Sequence, residues 1–243
     1  VNSEKTQFLK IEGDKEQYLT TVTWSPDSNS IFVGVLNRGQ NHLQMNQYDA
    51  KSGILLKTIF EETNEKYVEP QHSLLFFPNS SQDFIWQSQR SGYNHLFHYN
   101  LEKGLVKQLT SGDWLVTDVL GFNEKKKDIY FVSTKETPLE RHLYRVNWNN
   151  QKITRLDQSE GVHTGILSKD GTQLFDVFSN ATTPRIASLI NTSTLKSTQI
   201  LAAENPLTKY LRPEIKNITL KADDGTNLYG KLILPTNFNP NKK

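Results

Sequence analysis

The chain has 243 residues, with 28 Lys plus Arg against 26 Asp plus Glu, a formal net charge of +2. This balance lacks the basic excess of a nucleic-acid binder, and the absence of cysteine excludes disulfides, thiolate nucleophiles and cysteine-held metals. No apolar run reaches the roughly 18 residues that mark a membrane-spanning helix, yet 12 Phe, 9 Tyr and 4 Trp supply large core side chains.

Taken in chain order, the sequence reads as strand and turn almost throughout. Trp24-Ser25-Pro26-Asp27 is a turn before the apolar run Ile31 to Leu36. The same phrase returns as Phe77-Pro78-Asn79-Ser80 before Phe84-Ile85-Trp86, as Phe122-Asn123-Glu124 before Ile129-Tyr130-Phe131, and as Leu167-Ser168-Lys169-Asp170 before Leu174-Phe175. A second phrase keeps the same phase. Asn41-His42-Leu43 leads to Tyr48-Asp49, Asn94-His95-Leu96 to Tyr99-Asn100, and Arg141-His142-Leu143 to Val146-Asn147. Pro184-Arg185-Ile186 is a weaker fourth copy. Each copy is followed by a turn and one more strand, ending near Phe60, Leu109, Leu156 and Leu201.

Four strands recurring about every 45 to 53 residues is the period of a β-propeller blade. The predicted fold is therefore all-β, with about four four-stranded blades over residues 18–63, 67–110, 114–157 and 161–201. Residues 1–204 form a partial propeller. Residues 205–243 break the rhythm: a Pro-punctuated connection precedes one hairpin, which reads as the opening of a truncated second domain. The start at Val1-Asn2-Ser3 and the end at Asn239-Pro240-Asn241-Lys242-Lys243 predict a piece of a longer protein. A partial propeller leaves a sheet face open, which predicts self-association as a homodimer.

The sequence offers little chemistry of its own. There is no Gly-x-Ser-x-Gly, phosphate loop, dinucleotide fingerprint or His-Glu-x-x-His. No cofactor and no metal is expected. His42, His95 and His142 recur at one blade position, which points to a structural or hydrogen-bonding role, and His72, His98 and His163 have no ligand-like companions in sequence. Glu61, Glu62 and Glu69 read as a solvated rim. On these residues alone the default function is a binding scaffold: a non-catalytic propeller module for peptides or proteins.

Several phrases carry a resemblance to a known family. Thr23-Trp24-Ser25-Pro26-Asp27, Tyr48-Asp49-Ala50-Lys51-Ser52-Gly53, Trp86-Gln87-Ser88-Gln89-Arg90-Ser91-Gly92-Tyr93-Asn94-His95-Leu96, Leu109-Thr110-Ser111-Gly112-Asp113-Trp114 and Leu228-Tyr229-Gly230 stand in the family's order. The chain resembles the N-terminal propeller region of the dipeptidyl peptidase IV family of serine peptidases, in the prolyl oligopeptidase clan. The resemblance implies an eight-bladed propeller capping an α/β-hydrolase domain that releases N-terminal dipeptides of Xaa-Pro or Xaa-Ala type. It places the catalytic serine, aspartate and histidine beyond Lys243 and the family's acidic, ammonium-holding pair before Val1, so that Glu61-Glu62 is not that pair. The implied partners are peptide substrates and the chain's own C-terminal hydrolase domain. The implied location is periplasmic or exported, in a bacterium. Gln89 and Ser91 stand where relatives often carry acidic residues. By position, Tyr67 and Glu69 are the candidates for substrate contact.

Overall fold

The computed structural model describes residues 6–239 and 241; the terminal residues Val1-Asn2-Ser3, Pro240 and Lys242-Lys243 lie outside them. Four antiparallel four-stranded meanders follow one another along the chain. Blade 1 contains β1 (Tyr18–Trp24), β2 (Ser30–Leu36), β3 (His42–Asp49) and β4 (Leu55–Thr63). Blade 2 contains β5 (Leu75–Phe76), β6 (Asp83–Ser88), β7 (His95–Asn100) and β8 (Gly104–Gln108). Blade 3 contains β9 (Val116–Asn123), β10 (Asp128–Ser133), β11 (His142–Asn147) and β12 (Ile153–Arg155). Blade 4 contains β13 (Val162–Leu167), β14 (Gln173–Ser179), β15 (Ile186–Asn191) and β16 (Ser197–Ala202). A separate two-stranded hairpin, β17 (Glu214–Lys221) with β18 (Asn227–Leu234), follows.

The alternation of side chains along a strand explains how the blades stack, because successive residues face opposite sides of a sheet. On β6, Phe84 and Trp86 pack with Phe32 and Met45 of blade 1, while Ile85 between them packs with Phe131 and Tyr144 of blade 3. On β10, Ile129 and Phe131 face blade 2 and Tyr130 and Val132 face blade 4. All six residues of β10 are buried. An apolar run without polar alternation is what a strand covered on both faces requires.

The turns between third and fourth strands repeat one device. Asn100 Oδ1 accepts from the backbone N–H groups of Glu102 and Lys103, Asn147 Oδ1 from Asn149 and Asn150, and Asn191 Oδ1 from Ser193 and Thr194. In blade 1, Asp49 Oδ1 accepts from Ser52. Four residues after each capping side chain comes a left-handed residue: Gly53 (φ 70°), Gly104 (φ 73°), Gln151 (φ 59°) and Leu195 (φ 59°). The side-chain cap mimics a backbone turn and stabilises the left-handed position even where glycine is absent. Ile190-Asn191 thus completes the fourth copy of the phrase that the sequence shows clearly in three blades.

Candidate functional site

A pocket of about 210 Å³ lies where β4 meets the loop leaving β6. Strand alternation separates the two adjacent carboxylates. The Glu61 side chain is half exposed and its Oε2 lies 2.6 Å from His42 Nε2, which holds its carboxyl below the ordinary range. Glu62 turns inward, with its side chain only 10% exposed. It accepts a hydrogen bond from Trp86 Nε1 at 2.7 Å and pairs with the Arg90 guanidinium. Glu62 therefore departs from the expected solvated rim: the indole and the guanidinium replace the water it gives up.

Arg90 is held from several sides. Its Nε donates to Ser88 Oγ at 3.1 Å, and its guanidinium lies 5.1 Å from the Phe97 ring centroid and 5.5 Å from that of Tyr99. Such a packed, ion-paired guanidinium keeps its planar face fixed at the pocket wall. The two sequence candidates come from the loop after β4. Val68 is buried, and its N–H donates to Gln40 O at 2.7 Å. This pins the loop while its neighbours on either side, Tyr67 and Glu69, are exposed and line the same pocket. The structure thus brings Tyr67, Glu69, Glu62 and Arg90 together. Sequence reasoning missed Arg90, although its place four residues after Trp86 was visible. The arrangement offers a carboxylate, a phenol and a fixed cation, which suits recognition of a polar, peptide-like segment.

His42, His95 and His142 do share a position, at the start of the third strand of blades 1 to 3. Their surroundings differ, however. His95 faces neutral groups: Thr110 Oγ1 at 3.1 Å and the Gly112 carbonyl at 2.9 Å, with Trp114 edge-on at 4.7 Å between centroids. Burial pushes its basicity down. His142 lies between two carboxylates, and His163, which has no companion in sequence, packs beside it with Asp157 and Asp176 in reach. His98 also gains a partner in Asp83, at 2.9 Å.

Four meandering sheets stacked face to face define a domain of β-propeller type. The chain matches the family model of the dipeptidyl peptidase IV N-terminal region over residues 1–185, and it belongs to that family. The crystal structure of a provisionally named dipeptidyl aminopeptidase IV from Bacteroides ovatus overlays with a TM-score of 0.90 at 36% identity, covering 97% of this chain and 36% of that one. Porphyromonas gingivalis dipeptidyl peptidase 4 shares the fold, with a TM-score of 0.86 at 22% identity over 96% of this chain and 33% of its own. Mouse dipeptidyl peptidase 8 is 25% identical over 304 aligned positions, which cover all of this chain and 34% of that protein. The chain spans about a third of the length of these relatives.

Proposed function

We propose that this chain is the propeller portion of a serine exopeptidase that releases N-terminal dipeptides of Xaa-Pro or Xaa-Ala type. In this reading residues 1–204 gate and orient the peptide, and residues 205–243 open an α/β-hydrolase domain that carries the serine, aspartate and histidine. The match to the family's N-terminal region over residues 1–185 carries the reading. An exported or periplasmic location belongs to the same proposal; among the described residues no helix is long and apolar enough to cross a membrane. Pairing of two copies is also part of it: every residue of β16 is exposed, and a second copy would cover an open sheet edge of this kind.

Within this reading, Glu69 and Tyr67 contact substrate: Glu69 accepts from an N–H group of the peptide, and Tyr67 packs on its side chain. Glu69→Gln in the full-length protein should raise KM for glycyl-prolyl and alanyl-prolyl chromogenic substrates about fivefold, equivalent to about 1 kcal/mol of hydrogen bonding. Unchanged kcat/KM and subsite preference would remove Glu69 from the site. Failure of the full-length protein to release any dipeptide would overturn the peptidase reading and favour a binding module.

A further inference from the structure

A second group of chemistry-bearing side chains lies between blades 3 and 4, remote in sequence from the pocket above. His142, Asp157 and His163 are all buried, and one nitrogen or oxygen from each lies within 4.8 Å of the others. Asp157 Oδ1 is 2.8 Å from His142 Nδ1 and 3.5 Å from His163 Nε2.

The outer nitrogen of each ring meets a further carboxylate. His142 Nε2 lies 2.9 Å from Glu140 Oε2, and His163 Nδ1 lies 2.9 Å from Asp176 Oδ2. This is the outer-shell pattern of metal-binding histidines, in which a carboxylate takes the distal N–H, fixes the tautomer and raises the basicity of the ligating nitrogen. Asp157 is itself aimed by the Leu143 N–H, which donates to Oδ2 at 2.6 Å, and by Arg155 Nε, which donates to Oδ1 at 2.9 Å. The Ser159 carbonyl, 3.1 Å from His163 Nε2, supplies a fourth oxygen.

The fold does not require these charges. The blade 2–3 junction is built on the same backbone contacts. There the Val116 N–H donates to Asn94 O and Leu96 N–H to Thr110 Oγ1; here His163 N–H donates to Arg141 O and Leu143 N–H to Asp157 Oδ2. Val116 and Thr110 thus correspond to His163 and Asp157. In the same pairing of strands, Val116 lies opposite Ser133 and His163 opposite Phe178. Two residues back along each partner strand, buried Phe131 corresponds to Asp176. One junction therefore closes with Thr, Val and Phe, and the other puts Asp, His and Asp in their places. Around the two rings Glu140, Asp157 and Asp176 outnumber Arg155, and Glu136 beside Arg155 adds to the negative excess. All four ring nitrogens face oxygen acceptors. A divalent cation would offset that excess.

We propose that His142 Nδ1, His163 Nε2 and Asp157 Oδ1 form a site for a divalent transition metal of the zinc class, which cross-links blades 3 and 4. Nitrogen and carboxylate donors suit zinc, whose tetrahedral ligands sit about 3.4 Å apart; the 3.5 Å separation of Asp157 Oδ1 from His163 Nε2 already fits, and the 2.8 Å contact of Asp157 Oδ1 with His142 Nδ1 opens on binding. A cleft of about 240 Å³, lined in part by Ser159, Asp176 and Gln199, reaches the His163 ring and gives an access route.

The test is metal content and cobalt spectroscopy on the chelator-stripped, reloaded protein. Wild type should retain one zinc per chain beyond that held by His163→Gln, show a tetrahedral ligand-field band with Co²⁺ that zinc abolishes, and gain thermal stability with added Zn²⁺. Asp176→Asn, which keeps the three ligands, should weaken zinc binding by about 10- to 100-fold. His95→Gln, the corresponding blade 2 position, should leave the stoichiometry unchanged. Equal zinc content in wild type and His163→Gln, or no cobalt band in wild type, would overturn the site.

Discussion

The junctions flanking blade 3 use one backbone scheme and opposite chemistries. Between blades 2 and 3, a buried histidine meets a hydroxyl, a carbonyl and an indole edge. Between blades 3 and 4, the corresponding histidine is enclosed by carboxylates, a second imidazole and a guanidinium. The neutral junction rests on apolar burial and single hydrogen bonds, each of modest net worth. The ionic one needs all its members present, because a buried charge that loses its partner is costly. The lesson is that a repeat fold fixes where strands meet and leaves open how each junction is closed.

The largest effect separating the two should come from removing the central acceptor of each. Asp157→Ala strands His142, Arg155 and the Leu143 N–H, and should cost about 3–5 kcal/mol, a fall in Tm of roughly 10 °C. Thr110→Ala, at the matching place, leaves only neutral groups without a partner and should cost about 1–3 kcal/mol. Calorimetric scans of both variants, each stripped of metal with a chelator, measure the gap. Equal losses would mean that the two junctions are energetically alike.

A smaller effect concerns pH at the neutral junction. Burial lowers the basicity of His95 below its ordinary value near 6.5. The unfolded chain therefore binds that proton more readily, and the contribution of His95 is intact above about pH 6.5 and is lost as pH falls through that value toward the lowered folded one. His95→Gln should remove this acidic limb from a Tm-against-pH series; an unchanged limb would place its origin elsewhere.

The smallest effect is expected at the same histidine position in blade 1. The side chains of His42 and Glu61 are 38% and 49% exposed. Solvent screens such a pair, so Glu61→Gln should change stability by less than about 1 kcal/mol. A larger loss, read from the same scans, would show that blade 1 depends on its ion pair as blade 3 does.

Much of the fold was legible because it rests on local patterns. Phe84-Ile85-Trp86 and Ile129 to Val132 announce strands covered on both faces, and the turn phrases fix the blade period. The fourth Asx-capped turn was hidden because Leu195 stands where blades 1 and 2 have Gly53 and Gly104, so the composition signal vanished while the geometry persisted. The candidate pocket was half legible. Tyr67 and Glu69 lie close together in sequence, but the inward turn of Glu62 depends on Trp86 and Arg90, which come from the next blade. The His142–Asp157–His163–Asp176 group was not legible at all. Its members come from blades 3 and 4, and only packing brings them together.

The meander topology has a consequence for how the molecule forms. Every named strand pairing joins strands consecutive in sequence, and each core cluster draws on adjacent blades. Contacts of short sequence separation close small loops and favour rapid formation. Each blade can therefore assemble soon after its fourth strand leaves the ribosome and serve as a template for the next. Stability then accumulates by neighbouring pairs, as in other repeat arrays.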